Sequence, residues 1–142
     1  MKKRSKKYRP HAVNIPMMRE TQADLALKLR MCIEALIIVP SVDTYNAVSL
    51  QLVTLGRVVG KKEFMETAKR AMLDIAARFE RVGKMGASGA EALTLRTVSA
   101  DMDAAIALVP VNKFALAQLK TQVWCEQNGL AQYSDNEGNH RG

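Results

Sequence analysis

Side chains that could bind phosphate groups are concentrated at the start of the chain. They are Lys2, Lys3, Arg4, Lys6, Lys7, Tyr8 and Arg9. Cations that contact a nucleic-acid backbone release its condensed counterions, and an aromatic ring can stack on an exposed base. If all the cations of this run engaged duplex phosphates, the log–log dependence of affinity on salt would have a slope of roughly −5. Such contacts position a protein without specifying a base sequence, so the run predicts general nucleic-acid binding.

Two other uses of this basic run are consistent with the sequence. The same charges could dock on an acidic surface of a host protein, or they could serve only to keep the chain soluble. A membrane surface also attracts polybasic segments, but no lipidation signal and no amphipathic insertion face accompany the run. We therefore expect nucleic acid or an acidic host protein as the partner, and no membrane.

The residues that most enzymes need are missing or poorly placed. His11 and His140 are the only histidines. Both fall in termini that the sequence predicts to be flexible, so neither is suited to act as a fixed general base or metal ligand. Cys32 and Cys125 lack the close spacing of zinc ligands, and no Gly-x-Ser-x-Gly motif of a hydrolase occurs. We expect a non-enzymatic protein with no catalytic residues, no metal and no cofactor.

Two stretches that contain glycine resemble phosphate-binding loops but do not have their spacing. Residues 56–62 follow the residue order of a P-loop, but one spacer and the magnesium-binding Ser or Thr are missing. We expect Gly60 to end a helix instead. Residues 83–89 lack the Gly-x-Gly-x-x-Gly spacing and are expected to connect helices. Asp101 and Asp103 are two positions apart on a predicted helix, so we expect them on the solvated surface and not as a pair.

The positive charge of the chain is confined to its N-terminal end. The protein has 142 residues and a formal net charge of +7. Residues 1–19 contain seven basic side chains and no acidic one, whereas residues 20–142 contain equal numbers of both. Such a polycation repels itself, and Pro10 and Pro16 disfavour helix in the residues that precede them. We therefore expect an extended basic arm over residues 1–19, beside an electroneutral domain.

Apolar residues at helical spacing predict about five helices in the remainder of the chain. Their expected starts are Thr21, Ser41 or Asp43, about Lys62, Ser88 and Asn112. The last helix carries an apolar stripe of Leu116, Leu119 and Val123, with Trp124 beside it. No segment shows the alternation typical of a strand. The sequence predicts an all-α, single-domain bundle over residues 20–129 and a disordered polar tail over residues 130–142.

Three further expectations concern assembly, location and the cysteines. Several helices have apolar residues on more than one side, such as Leu50 with Leu52 and Val53, so the sequence is consistent with either a monomer or a homo-oligomer. No apolar stretch approaches the roughly 20 residues of a membrane span, and no secretory signal follows the basic start. We therefore expect a cytoplasmic location, with Cys32 and Cys125 as small buried apolar residues.

The N-terminal segment resembles the opening of small phage and prophage proteins. These proteins begin with a basic Lys/Arg-Tyr-Arg-Pro segment, followed by a Val, a second Pro and then helices. The matching positions are Lys7, Tyr8, Arg9, Pro10, Val13 and Pro16. The resemblance implies a phage accessory protein in a bacterial host cytoplasm, of a kind that often modulates host machinery, including defences. It supplies neither an activity nor functional residues.

These observations lead to two functional hypotheses. The first is a phage-type accessory binding protein that engages nucleic acid, or a nucleic-acid-handling host complex, through its basic arm. The alternative is an inhibitor or adaptor that binds only protein, through an apolar helix face. Loss of nucleic-acid binding on removal of the arm would distinguish the first from the second.

Overall fold

The structure, a computed structural model, describes residues 14–128. Within these residues the chain forms five helices and no strand. The helices are α1 Arg19–Ile38, α2 Val42–Val59, α3 Glu63–Val82, α4 Gly89–Ile106 and α5 Val111–Gln127. The all-α bundle predicted from apolar periodicity is therefore confirmed. Residues 1–13 of the predicted arm and the predicted tail at 130–142 lie outside the described residues.

Reciprocal side-chain caps form the starts of α2 and α4. Ser41 Oγ accepts from the Thr44 backbone N–H at 3.1 Å, and Thr44 Oγ1 accepts from the Ser41 N–H at 2.8 Å. Ser88 and Glu91 form the same arrangement at 3.1 and 2.8 Å. Both caps lie at predicted positions, with Ser41 rather than Asp43 as the first. Each contributes about 1 kcal/mol by satisfying backbone N–H groups that have no partner inside the helix.

Two glycines end α2 and α3 in a backbone conformation that other residues rarely adopt. Gly60 has a φ of 84° and Gly83 has a φ of 75°. Glycine reaches this region without the steric clash of a Cβ atom. The prediction that Gly60 ends a helix is confirmed.

The start of α1 differs from the prediction. The helix begins at Arg19, which was expected to end the arm, and Thr21 lies inside the first turn instead of capping it. No side chain caps this helix. Instead, the side chain of Met17 is buried in the core, and Gln22 Nε2 donates to the Met17 carbonyl oxygen at 3.0 Å. Tertiary packing therefore sets the position at which α1 begins.

The core lies mainly between α1, α4 and α3. Helix α4 packs against both α1 and α3, and α1 also packs along α2. The side chains most completely buried in α1 and α4 are Leu29, Ile33, Leu36, Leu95, Met102 and Ile106. Each such burial contributes about 1.5–3 kcal/mol. Helix α5 differs from the others because, among the described helices, it packs along α2 alone.

Candidate functional site

The residues that the sequence predicts to bind nucleic acid lie outside the described part of the chain. They are Lys2, Lys3, Arg4, Lys6, Lys7, Tyr8 and Arg9. The structure does show how the segment that follows them is attached to the bundle. Residues 14–18 approach α1 without helical structure, and Met18 has an extended backbone.

Ile15 attaches this segment to the first turn of α5. The Val111 N–H donates to the Ile15 carbonyl oxygen at 2.8 Å, and the Ile15 N–H donates to Asn112 Oδ1 at 2.9 Å. Val111 is the first residue of α5, so its N–H has no acceptor within the helix. The Met17 side chain is buried two positions further along. The described chain therefore begins beside the N-terminus of α5.

The prediction that Asn112 caps α5 is wrong. Pro110 occupies the capping position, and no side chain caps the N–H groups of the first turn. Asn112 lies in the first turn, where its side-chain oxygen binds Ile15, a residue 97 positions away in the chain. Asparagine oxygens accept from backbone N–H groups in both settings. Only the folding of the chain brings the Ile15 N–H to the side-chain oxygen of Asn112.

The apolar stripe that the sequence places on α5 faces outward. Leu116, Leu119 and Val123 are 51, 55 and 41% exposed. The buried side of α5 carries Phe114, Ala117, Thr121 and Cys125. Both sets recur at helical spacing, so periodicity alone could not choose between them. The outward-facing set leaves an apolar surface on α5 that no described helix covers.

Two threonines and an arginine form a polar contact between α5 and α2. Thr54 Oγ1 donates to Thr121 Oγ1 at 3.1 Å, and Arg57 Nε donates to the same oxygen at 3.1 Å. Thr54 and Thr121 are both buried. One hydroxyl oxygen has two lone pairs and can accept both bonds. No pattern in the sequence predicts this contact, because isolated threonines carry no spacing signal.

One side of α5 combines exposed lysines with the only tryptophan of the chain. Lys113 and Lys120 are exposed, and seven positions place them on one side of the helix about 10 Å apart along its axis. Trp124 is 44% exposed and follows Lys120 by four positions, which makes the two side chains neighbours. We call Lys113, Lys120 and Trp124 the lysine–tryptophan surface. Glu126 lies two positions beyond Trp124 and therefore projects from the other side of the helix.

A groove of about 410 Å³ lies between α2 and α3. Much of its lining is apolar and comes from Leu52, Val53, Met65, Met72 and Leu73. The Tyr45 hydroxyl donates to the Met72 carbonyl oxygen at 3.0 Å, and burial raises the pKa of Tyr45. The charged side chains in the lining are exposed to solvent. The groove offers apolar surface rather than an arrangement of catalytic groups.

Ion pairs between α1 and α4 account for two of the acidic residues. Arg96 donates to both carboxylate oxygens of Glu34 at 2.7 and 2.8 Å, and these hydrogen bonds hold the pKa of Glu34 below its ordinary value. Arg30 contacts Asp103 at 2.7 Å. Asp101 is exposed, as expected, whereas Asp103 is partly exposed and its pairing with Arg30 was not predicted. The paired carboxylates connect helices and show no arrangement for catalysis.

A third ion pair lies at the corner between α3 and α4. Arg78 pairs with Glu91 and also donates to the Gly86 carbonyl oxygen at 3.0 Å. Burial alone would raise the pKa of Glu91. The hydrogen bonds from Ser88 and Arg78 outweigh that effect and lower the pKa. A carboxylate kept ionised by these donors stabilises the loop and is poorly suited to exchange protons near neutral pH.

Both cysteines are free thiols within the bundle. Cys125 is buried, as expected for a small apolar residue, whereas Cys32 is only partly buried. Burial raises the pKa of Cys32, which keeps its thiol protonated and weakly reactive at neutral pH. Between residues 14 and 128, no three His, Cys, Asp or Glu side chains come close enough together to hold a metal ion. None of the helices in this range has an apolar stretch of the length needed to span a bilayer.

Three features therefore mark a candidate site: the bonds that attach Ile15 to α5, the exposed apolar stripe of α5, and the lysine–tryptophan surface. All three involve α5, the helix with the least contact to the rest of the bundle. No protein-family model matches the chain, and no curated protein or solved structure shows significant similarity to it.

Proposed function

We propose that this protein is a non-enzymatic binding protein that engages nucleic acid, or a nucleic-acid-handling host complex, through its basic arm. The arm residues are Lys2, Lys3, Arg4, Lys6, Lys7, Tyr8 and Arg9. The charge distribution carries the proposal, because residues 1–19 hold the entire positive excess of the chain. Unopposed cations gain affinity for phosphates through counterion release. The resemblance to phage proteins favours a bacterial host cytoplasm as the place of action.

The anchoring of Ile15 at α5 supports the proposal, since it gives the arm a defined point of attachment.

Removal of residues 2–9 tests the proposal. We expect the shortened chain to lose affinity for generic DNA and RNA but to keep the far-UV circular dichroism signal of the five described helices, because the first of them begins at Arg19, beyond the deletion. For the intact chain on duplex DNA, a log–log salt slope of roughly −5 should become much shallower when the arm is removed. Binding of nucleic acid that survives the deletion would contradict the proposal.

A matched variant separates the effect of the arm on binding from the effect of net charge. It removes the same number of cations from exposed positions of the bundle by changing each residue to Gln. The positions are Lys61, Lys62, Lys69, Arg70, Arg81 and Lys84. We expect this variant to bind nucleic acid more tightly than the arm deletion, because its arm cations remain together. Equal losses in the two variants would show that net charge alone accounts for binding.

The outer face of α5 favours a second candidate function. Leu116, Leu119 and Val123 form an exposed apolar stripe on a helix that packs along only one other described helix. A host protein with an apolar helix face could cover this stripe, as in other helix-mediated complexes. The protein would then act as an inhibitor or adaptor that binds protein alone.

Nuclease treatment and a charge substitution on α5 test this candidate together. A protein partner should remain bound after nuclease digestion and should be lost from the Leu116→Lys/Leu119→Lys variant. The control variant Leu93→Lys changes an exposed leucine on α4 and should still bind the partner. A partner released by nuclease, or one retained by the α5 variant, contradicts the candidate. Light scattering on the same variants shows whether the stripe instead pairs two copies of the chain.

A further inference from the structure

The lysine–tryptophan surface of α5 has the composition of a contact site for single-stranded nucleic acid. Proteins that bind single strands combine cations that follow the phosphates with aromatic rings on which bases stack. Lys113 and Lys120 supply exposed cations, and Trp124 supplies a ring that is 44% exposed. A duplex keeps its base faces stacked on one another, so an aromatic side chain on a helix surface gains most from an unpaired base.

We infer that Trp124 stacks on an unpaired base of a single-stranded nucleic acid while Lys113 and Lys120 contact its phosphates. This inference rests on the proposed function and narrows it to a class of nucleic acid. It also extends the binding site from the arm to the folded bundle. Stacking is tolerant of base identity, so the surface recognises single strands without a fixed sequence.

The surface is continuous with the attachment point of the arm. Ile15 bonds to Val111 and Asn112, and Lys113 is the next residue of α5. Lys120 and Trp124 then follow along the same side of the helix. A strand held by the arm can therefore continue along the exposed side of α5.

The charges on and beside α5 favour a polyanion on the tryptophan side. Arg57 of α2 donates to Thr121, which lies one turn before Trp124, and so places another cation near the surface. Glu126 is the only acidic residue of α5, and the helical rotation of about 200° between it and Trp124 directs it away. Asp43, the only acidic residue of α2, lies in the first turn of that helix, at the opposite end from Arg57.

The emission of Trp124 provides a direct test because the chain contains no other tryptophan. The full chain is titrated with oligothymidine of about 20 nucleotides, which exceeds the usual site size of a single-strand-binding fold. We expect quenching of Trp124 emission by this single strand and little change with a duplex of equal length. In anisotropy measurements with labelled oligothymidine, Trp124→Ala should weaken binding by about 5- to 160-fold, and Trp124→Phe should retain most of the affinity.

Lysine substitutions provide a second measurement that does not alter a partly buried residue. Lys113→Gln/Lys120→Gln should weaken single-strand binding and make its log–log salt slope shallower by about 1.4, since each phosphate contact on a single strand contributes about 0.7. The control Lys69→Gln/Lys84→Gln removes the same charge from exposed positions outside α5 and should leave the slope unchanged.

The outcomes separate this inference from the proposed function. Arm-dependent binding without any change in Trp124 emission, and with unchanged affinity in the α5 variants, overturns the inference and leaves the proposed function standing. A preference for duplex DNA over oligothymidine, with unchanged Trp124 emission, likewise overturns the inference and leaves the proposed function standing. If the full chain binds neither form of nucleic acid, both the inference and the proposed function are wrong.

Discussion

Replacing Thr121 with Val is expected to weaken the attachment of α5 to α2. Thr121 Oγ1 accepts hydrogen bonds from Thr54 Oγ1 and Arg57 Nε, each at 3.1 Å. Valine has nearly the same shape as threonine but no oxygen, so the substitution removes both bonds while the packing is retained. Arg57 is exposed and can bond to water, but the hydroxyl of Thr54 is buried. The main cost therefore comes from a buried hydroxyl that has lost its partner.

A buried polar group without a partner costs about 1–3 kcal/mol, whereas replacing both partners with apolar groups of the same shape can be nearly neutral. We therefore expect Thr121→Val to lower the free energy of unfolding by about 1–2 kcal/mol. The double variant Thr54→Val/Thr121→Val should lose less than the sum of the two single variants, by roughly 1 kcal/mol. This non-additivity is the signature of a direct bond between the two hydroxyls.

Urea denaturation followed by two probes measures both effects. Far-UV circular dichroism reports all the helices, and the emission of Trp124 reports α5. Because α5 packs along α2 alone among the described helices, Thr121→Val should lower the midpoint of the fluorescence transition more than that of the circular dichroism transition. Losses that add to within about 0.5 kcal/mol would refute the reasoning, because independent sites behave in that way.

Three further predictions concern the corners of the bundle and its acid response. Ser88→Ala should lower the free energy of unfolding by about 1 kcal/mol in thermal denaturation, because it removes half of the cap of α4. Gly83→Ala should cost about 1 kcal/mol owing to the φ of 75° at that position, whereas Gly86→Ala, which has open space around its Cβ, should be close to neutral. The pKa values of Glu34 and Glu91 are lower in the folded protein than their ordinary value of 4.5, so the stability these groups contribute is complete above that pH and is lost as pH falls through their folded values. Glu34→Gln should therefore reduce the melting temperature at pH 7 and converge with the unaltered protein in acid, and a difference that stays constant with pH would contradict this.

Local chemistry in the sequence was sufficient to predict several helix ends. Ser41 and Ser88 cap α2 and α4 through bonds to residues only three positions away. Gly60 ends α2 because its own backbone adopts a positive φ. Each of these features depends on atoms close together in the chain, so residue types and spacing contain the necessary information. The helical class of the protein follows from the same local periodicity.

The sequence by itself determined the five helices of residues 14–128 and the separation of positive charge from an electroneutral remainder, since both follow from residue types and their order. Only the tertiary structure decided that Met17 is buried just before α1, that Asn112 binds Ile15 and that Leu116 faces outward. Periodicity shows which residues share one side of a helix, but burial depends on whether another helix covers that side. For α5 the bundle covers the side of Phe114, and for this reason Trp124 and its neighbouring lysines remain exposed.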